Sequence, residues 1–161
     1  MPTVQARRQF LGLGLKDKAT PLRPPWALAE TSFQDACTQC GDCLVKCPEN
    51  ILVQETVGGY PRVDFTQGEC TFCKDCVDVC PTTALNGELQ SPWFVKAKIN
   101  EKCLASQHVV CNTCGEQCEA KAIRFVPALG GVSLPSIDLE SCTGCGACVG
   151  PCPTQAIEVC V

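Results

Sequence analysis

In this chain of 161 residues, the number and spacing of the cysteines indicate metal binding. Sixteen of its seventeen cysteines fall into four quartets, and three of the quartets follow the spacing C-x2-C-x2-C-x3-C-P. These three quartets are Cys37, Cys40, Cys43 and Cys47; Cys70, Cys73, Cys76 and Cys80; and Cys142, Cys145, Cys148 and Cys152. The remaining quartet is Cys103, Cys111, Cys114 and Cys118, with a longer first gap and Glu119 in place of the proline. Thiolates ligate iron–sulfur clusters and zinc, so the repeat predicts metal-binding sites.

Three kinds of site use many cysteines, and the spacing separates them. Repeated C-x2-C-x2-C-x3-C-P runs are typical of bacterial ferredoxins, in which thiolates hold [4Fe–4S] cubanes. Zinc sites usually combine two CxxC pairs, or cysteine with histidine, at wider separation, and this chain has one histidine. Disulfide frameworks do not repeat one short spacing with this fidelity. The sequence therefore favours four [4Fe–4S] clusters, with zinc and disulfides as weaker alternatives.

The fourth cysteine of each quartet is predicted to ligate a different cluster from the first three. In two-cluster bacterial ferredoxins the three closely spaced cysteines wrap one cubane, and the fourth reaches the other. We also expect this fourth cysteine to open a short helix, because proline suits the first helical position. The predicted ligand sets are Cys37, Cys40, Cys43 and Cys80; Cys70, Cys73, Cys76 and Cys47; Cys103, Cys111, Cys114 and Cys152; and Cys142, Cys145, Cys148 and Cys118.

The third quartet and the unmatched cysteine each leave an alternative open. Seven residues separate Cys103 from Cys111, which indicates a surface insertion in an ordinary cubane site, since loops tolerate insertions. The alternative is a labile or three-iron cluster. His108 lies in this insertion and is expected to be solvated, because four cysteines already complete the site. Cys160 is expected to be a small packed side chain beside the last strand, with a reactive thiol as the alternative.

The elements that must position these cysteines recur with them. The quartets begin at positions 37, 70, 103 and 142, and each unit is predicted to run strand, cysteine loop, helix, strand. Gly-Gly pairs at 58–59 and 130–131 separate alternating apolar runs, which predicts two hairpins. The predicted fold is α+β, with two tandem ferredoxin-like modules low in regular secondary structure, each binding two clusters. We place an N-terminal extension at residues 1–30 and the modules at 31–92 and 93–161.

Charge and motif content exclude several classes of protein. The formal net charge is −4, divided into +3 over residues 1–30 and −7 over the remainder, and cluster thiolates would add negative charge. An acidic body argues against nucleic acid as a partner. The sequence contains no run of 18 apolar residues, so we predict no transmembrane segment. Neither a P-loop, a GxGxxG following a strand nor an HExxH is present, so we expect electron-transfer or accessory chemistry rather than an enzyme.

The stretch ARRQFLGLGLKDK resembles the start of a twin-arginine export signal at Arg7-Arg8. Its apolar run from Phe10 to Leu15 contains two glycines and ends at Lys16, and no A-x-A cleavage site follows at a suitable distance. A signal needs a longer apolar segment and such a site, so we predict that this segment does not direct export and that the protein is cytoplasmic. Two hypotheses remain for the basic segment: docking on the acidic body of the same chain, or contact with a partner.

Over nearly its full length the chain resembles the NapF family, the ferredoxin-type accessory proteins of the periplasmic nitrate reductase system. The resemblance rests on Arg7-Arg8, Arg23-Pro24-Pro25-Trp26, CTQCGDCLVKC, GGYPRVDF, CLASQHVVCNTCGEQCEAKAI and CTGCGACVGPCPTQAI. It implies a cytoplasmic protein with four [4Fe–4S] clusters that binds the molybdenum-containing catalytic subunit NapA before export. The implied role is maturation of NapA, by electron supply or by assembly of its iron–sulfur cluster.

Two other functions stay open at this stage. One is an electron-transfer subunit that carries electrons to a respiratory oxidoreductase. The other is an interaction scaffold in which the clusters serve mainly to hold the fold together, since the chain contains few large apolar side chains.

Overall fold

The computed structural model describes residues 21–128 and 130–161 of the chain. The predictions for Arg7-Arg8 lie outside these residues. Four short α-helices are α1 Glu30–Ala36, α2 Asp42–Lys46, α3 Asp75–Asp78 and α4 Thr113–Glu116, and a 3-10 helix spans Ala105–Gln107. The strands are β1 Leu52–Gln54, β2 Pro61–Val63, β3 Lys96–Ile99, β4 Ile123–Pro127, β5 Ser133–Ile137 and β6 Ile157–Cys160. Within the described ranges no helix is both long and apolar enough to cross a bilayer.

Both predicted hairpins are confirmed. Strands β1 and β2 pair antiparallel with Leu52 opposite Val63, and β4 and β5 pair antiparallel with Ile123 opposite Ile137. Gly58, Gly130 and Gly131 adopt positive φ at the turns, a conformation that glycine adopts without steric cost. The hairpins place an apolar residue of each strand over the cysteine loops, which is how so short a strand contributes to the core.

A third strand pair closes the second half of the chain, and the first half has its counterpart. Strand β3 pairs antiparallel with β6, so the segment before the third quartet lies beside the segment after the fourth. In the first half an isolated antiparallel bridge joins Ala27 to Leu85. The proline-rich segment, residues 21–29, therefore takes the place in the first module that β3 takes in the second.

The predicted position of the short helices is wrong. Helices α2, α3 and α4 each contain the third cysteine of a quartet, and they end before the fourth. Cys47 has extended backbone, with φ −68° and ψ 114°. The cause in this unit is Pro48, because a proline disfavours helical backbone at the residue before it. The fourth cysteine thus ends a helix and does not open one.

Arg23 fixes the proline-rich segment to the first module. Its guanidinium is 9% exposed and donates to both carboxylate oxygens of Glu30, at 2.8 and 2.6 Å. It also lies 2.6 Å from the Glu55 carboxylate and donates at 3.0 Å to the Pro61 carbonyl. The guanidinium carbon stands 5.2 Å from the centroid of the Phe33 ring, a cation–π distance. A buried arginine needs such partners, and here one side chain joins α1, the residue after β1 and the start of β2.

The two halves of the chain meet at a seam formed by Phe65 and Cys70 on one side and the loop of the fourth quartet on the other, and the Trp93 ring packs edge to face against Phe65. The Cys70 N–H donates to the Cys145 carbonyl at 2.8 Å. The Trp93 indole N–H donates to the Thr143 carbonyl at 3.0 Å. A Cβ on Gly146 would overlap the Phe65 ring, so this ring can lie against the backbone at residue 146 only because that residue is glycine.

Candidate iron–sulfur centres

Four cavities are each lined by four cysteines. Each cavity brings together the first three cysteines of one quartet and the fourth cysteine of its neighbour in the same module. We name them site A (Cys37, Cys40, Cys43, Cys80), site B (Cys47, Cys70, Cys73, Cys76), site C (Cys103, Cys111, Cys114, Cys152) and site D (Cys118, Cys142, Cys145, Cys148). These are the groupings expected if the fourth cysteine of each quartet ligates the other cluster of its module.

The donor sets fit a cluster better than they fit a single ion or disulfides. All seventeen cysteines lie within the described residues, and none of them is in a disulfide. Among those residues no group of three or more His, Cys, Asp or Glu side chains converges on one ion position. Zinc requires all four sulfurs about 2.3 Å from one ion, whereas a cubane takes one thiolate per iron and so spaces them around a larger body. Four thiols around an apolar cavity match the second arrangement.

Burial raises the pKa of the third cysteine of every quartet and of Cys70. The pKa of Cys43, Cys76 and Cys148 is raised to about 12, and that of Cys70 and Cys114 to about 11. In each case desolvation is the largest cause, and neighbouring cysteines add repulsion. These thiols are therefore neutral at physiological pH unless positive iron compensates the thiolate charge, so cluster binding and deprotonation are coupled.

The same contacts show which sites are neighbours. The pKa of Cys43 is raised also by Cys76, and that of Cys148 also by Cys114, so sites A and B adjoin, as do C and D. Cys145 contributes to the raised pKa of Cys70. Sites B and D thus face each other across the seam, and the four sites follow the spatial order A, B, D, C.

Several donors contact the cysteine sulfurs. The Cys152 Sγ accepts from the Ala156 N–H at 3.3 Å and lies 3.8 Å from the Thr154 hydroxyl. The Cys118 Sγ accepts from the Ala122 N–H at 3.3 Å. Partial burial of Cys152 acts to raise the pKa of its thiol. The hydrogen bonds to its sulfur together outweigh this desolvation, so the pKa is lowered. Such bonds stabilise the thiolate that an iron ligand must be.

Site B is covered by aromatic side chains from outside its own cysteine loop. Pro25 and Trp26 line the cavity, and Trp26 is 5% exposed. The Trp26 ring meets Phe72 edge to face at 6.4 Å between centroids, and Phe72 meets Trp93 in the same way at 5.7 Å. The proline-rich segment therefore keeps water from this site, a role that its sequence alone did not reveal. The available signal was a large aromatic residue directly after two prolines, in the run Arg23-Pro24-Pro25-Trp26.

Acidic side chains gather where sites B and D meet. Glu49 and Glu69 line site B, and both also line a groove at the seam of about 600 Å³. Burial raises the pKa of Glu69, and the charges of Glu119 and Glu49 raise it further. Three carboxylates in this small region make the seam the electronegative part of the site array.

The stretched loop of the third quartet lies on the surface, as predicted. It contains the 3-10 helix, anchored by the buried Ala105, followed by exposed residues from 106 to 110. His108 is exposed, as expected, and its imidazole lies against Gly130 of the β4–β5 turn and not in a cavity. Site C nevertheless brings its four cysteines to one cavity, as site A does. The insertion therefore does not separate Cys103 from the other three.

The expectation of a packed Cys160 is wrong. Side chains alternate along β6, with Ile157 buried and Glu158 exposed, and Cys160 falls on the exposed face opposite Lys96. Cys160 lies two residues after the exposed Glu158 and therefore points to the same face of the strand, because successive strand residues point to opposite faces. Cys160 lines none of the four sites.

Comparisons with known proteins identify 4Fe-4S binding domains in the chain. A family model described as a 4Fe-4S dicluster domain matches residues 36–85, and one described as a 4Fe-4S binding domain matches residues 135–158. The chain thus contains two 4Fe-4S ferredoxin-type domains, small and with little regular secondary structure.

Two relatives share most of their length with the chain. The ferredoxin-type protein NapF of Haemophilus influenzae is 46% identical over 144 residues, which cover 89% of this chain and 81% of that protein. The protein of the same name from Escherichia coli K12 is 39% identical over 152 residues, covering 94% and 92%. A chain in a solved formate dehydrogenase–heterodisulfide reductase–formylmethanofuran dehydrogenase complex from Methanospirillum hungatei is 27% identical. That match has a TM-score of 0.33 and covers 78% of this chain and 52% of the other.

Proposed function

Since the chain belongs to the NapF family of ferredoxin-type proteins, we propose that it is a four-cluster accessory protein of the periplasmic nitrate reductase. In this proposal it acts in the cytoplasm, where it binds the precursor of the catalytic subunit NapA before export. It is not itself an enzyme. It supports NapA maturation by supplying electrons. A second form of the same role is to help assemble the iron–sulfur cluster of NapA.

The sixteen cysteines of sites A to D are the proposed ligands. Each site offers four sulfurs around one cavity, and each draws one cysteine from the other quartet of its module. When bound, a [4Fe–4S] cluster supplies one-electron transfer. The protein residues supply the thiolates, the hydrogen bonds to sulfur and the apolar cover that limits access of water.

The observation that carries electron supply is the hydrogen bond from the Cys70 N–H to the Cys145 carbonyl. It joins a cysteine of site B to a cysteine of site D, so the two modules form one continuous array of sites. A scaffold that used its clusters only as staples would have no need to bring cysteines of different modules into direct contact. The array favours passage of electrons from one module to the other.

An anaerobic pull-down tests the partner and the compartment together. Tagged protein is isolated from separated cytoplasmic and periplasmic fractions, and the bound proteins are identified. We expect recovery from the cytoplasm with the signal-bearing NapA precursor, and weak recovery of NapA that lacks its signal segment. Recovery from the periplasm, or with subunits of a respiratory oxidoreductase and without NapA, would instead make the chain an electron-transfer subunit.

A second measurement separates electron supply from cluster assembly. The holoprotein is reduced chemically, freed of excess reductant and mixed anaerobically with purified NapA precursor that already contains its cluster. Electron supply predicts reoxidation of the accessory protein and reduction of NapA in equal amounts. If NapA stays oxidised, but precursor without its cluster gains iron from the accessory protein, then assembly is the role.

A further inference from the structure

Three threonine hydroxyls lie against sulfurs of the proposed cluster ligands. Thr82 Oγ1 is 3.6 Å from Cys80 Sγ, Thr113 Oγ1 is 3.7 Å from Cys111 Sγ, and Thr154 Oγ1 is 3.8 Å from Cys152 Sγ. An iron-bound thiolate carries no proton, so in each pair the hydroxyl must donate and the sulfur must accept. Each threonine is partly buried, which limits competition from water for the same hydroxyl.

Donors to ligand sulfur favour the reduced form of a cluster. Reduction adds one negative charge that spreads onto the sulfurs, and a donor stabilises this added charge. A nearby carboxylate has the opposite effect, because it repels the incoming electron. The relative potentials of the four sites therefore depend on how hydroxyls and carboxylates are distributed among them.

The hydroxyls are distributed unequally. Site C has two of them, from Thr113 and Thr154. The backbone N–H bond to Cys152 does not distinguish site C, because Cys118 of site D accepts an equal bond from Ala122. Site A has one, from Thr82. Within residues 21–128 and 130–161 no side-chain hydroxyl bonds to a sulfur of site B or site D. The residue that follows Pro48 in site B is Glu49, at the position that Thr82 and Thr154 occupy after their own prolines.

Charge reinforces the contrast at site B. Glu49 and Glu69 both line its cavity, and Lys74 is the one cation among the described residues that line it. The Lys74 ammonium donates to the Gly87 carbonyl at 3.1 Å and stands 5.1 Å from the centroid of the Trp26 ring. One cation against two carboxylates leaves a negative balance around site B. Sites A, C and D have no charged residue among the described residues that line their cavities.

We propose that Thr113 and Thr154 make site C the most readily reduced cluster of the chain, and that Glu49 and Glu69 make site B the least readily reduced. The inference rests on the four-cluster occupancy proposed above, and it adds a direction of electron movement along the four sites. Electrons that enter the chain collect at the end of the array where the stretched loop lies. Thr154 and Thr113 act as positioning residues that tune a cluster without ligating it.

A redox titration of the full-length holoprotein, monitored by electron paramagnetic resonance, tests this order. Iron and sulfide are quantified first in every sample. Thr154→Val removes the hydroxyl at nearly constant volume, and we expect it to lower the highest midpoint potential while the other components stay in place. Thr154→Ser retains a hydroxyl and should restore the potential. Thr82→Val should lower a different component, and Glu49→Gln should raise the lowest one.

The outcomes distinguish failure of the inference from failure of the occupancy. Full iron content with a highest midpoint potential that is unchanged in Thr154→Val would overturn the order proposed here and leave the four clusters intact. A shift of the lowest component in that variant would overturn it equally. Iron and sulfide for fewer than four clusters in the wild-type protein would reject the occupancy, and the order would be rejected with it.

Discussion

The backbone N–H of Cys70 donates a 2.8 Å hydrogen bond to the carbonyl of Cys145, and the two residues belong to different quartets and different modules. Phe65 packs over Gly146 beside this bond, and Trp93 donates to Thr143. The seam therefore consists of one aromatic pair and the cysteine loop of site D. Its integrity decides whether the two modules behave as one unit, which leads to the first prediction.

Gly146→Ala should destabilise the holoprotein by several kcal/mol and loosen the seam. The new Cβ would overlap the Phe65 ring, and φ at this position is +86°, which costs an L-residue roughly 1–2 kcal/mol before any overlap. The measurement is thermal unfolding followed by the visible absorbance of the clusters.

Gly131→Ala is the matched control for that change. Gly131 has φ +80° at the β4–β5 turn, and nothing lies within 4 Å of the position that the new methyl group would take, so only the backbone cost of roughly 1–2 kcal/mol applies. Equal melting temperatures for the two variants would show that the contact between Phe65 and Gly146 does not hold the modules together.

Arg23→Lys should destabilise the first module by about 2 kcal/mol, because an ammonium cannot reproduce the paired bonds to Glu30 or the contact with Glu55. The hydrogen bond from Arg23 is the largest cause of the lowered pKa of Glu30. A lowered carboxyl pKa contributes stability that is complete above the ordinary value near 4.5 and is lost as pH falls. The difference between variant and wild type should therefore be constant between about pH 6 and 8.

Arg62→Lys serves as the comparison in the same experiment. Arg62 is 37% exposed and reaches Asp64 through one 3.4 Å contact, so its replacement should change stability by less than about 0.5 kcal/mol. Chemical unfolding at matched cluster content measures both variants. A loss for Arg62→Lys as large as that for Arg23→Lys would contradict the anchoring role of Arg23.

Trp26→Ala should expose site B and shorten the life of its cluster in air. Trp26 is 5% exposed, lines the cavity and contacts Phe72, and truncation of a buried tryptophan costs about 3–5 kcal/mol. The rate of iron loss under oxygen, followed by absorbance and by iron analysis, measures the effect. Phe94→Ala removes an aromatic ring that is 80% exposed, and it should leave that rate unchanged. Equal rates of iron loss in both variants would show that Trp26 does not protect site B.

Iron loss to a chelator should accelerate as pH falls from about 8 to about 6. Burial raises the pKa of Cys43, Cys76 and Cys148 to about 12, so each of these thiols takes up a proton once its iron departs. Protons therefore compete with iron for the same sulfurs, and acid favours the depleted form. Cys160→Ser should leave the pH profile unchanged, since Cys160 lines no site among the described residues. A rate that is independent of pH would show that protonation of the sulfurs does not limit release.

Much of the site could be predicted from sequence, because its information is local. Three cysteines two residues apart form one loop around one cavity, and the positions of Gly58 and Gly130 fix two hairpins through turn geometry. The helices were misplaced because the pattern does not show that Pro48 ends a helix at Cys47 rather than starting one there. Cys160 was misplaced because its exposure depends on the pairing of β6 with β3.

Residue type and short spacing define the chemistry of this protein: sixteen sulfurs in four quartets, and membership of a family of ferredoxin-type proteins. Which side chains surround those sulfurs follows from the packing of distant segments. Trp26 covers site B, the charge of Glu119 helps to raise the pKa of Glu69, and Cys70 bonds to Cys145 across 75 residues of chain. Ligand type is set by residue identity and short spacing, whereas cover, charge and contact between modules arise from segments far apart in sequence. No local pattern records how such segments pack.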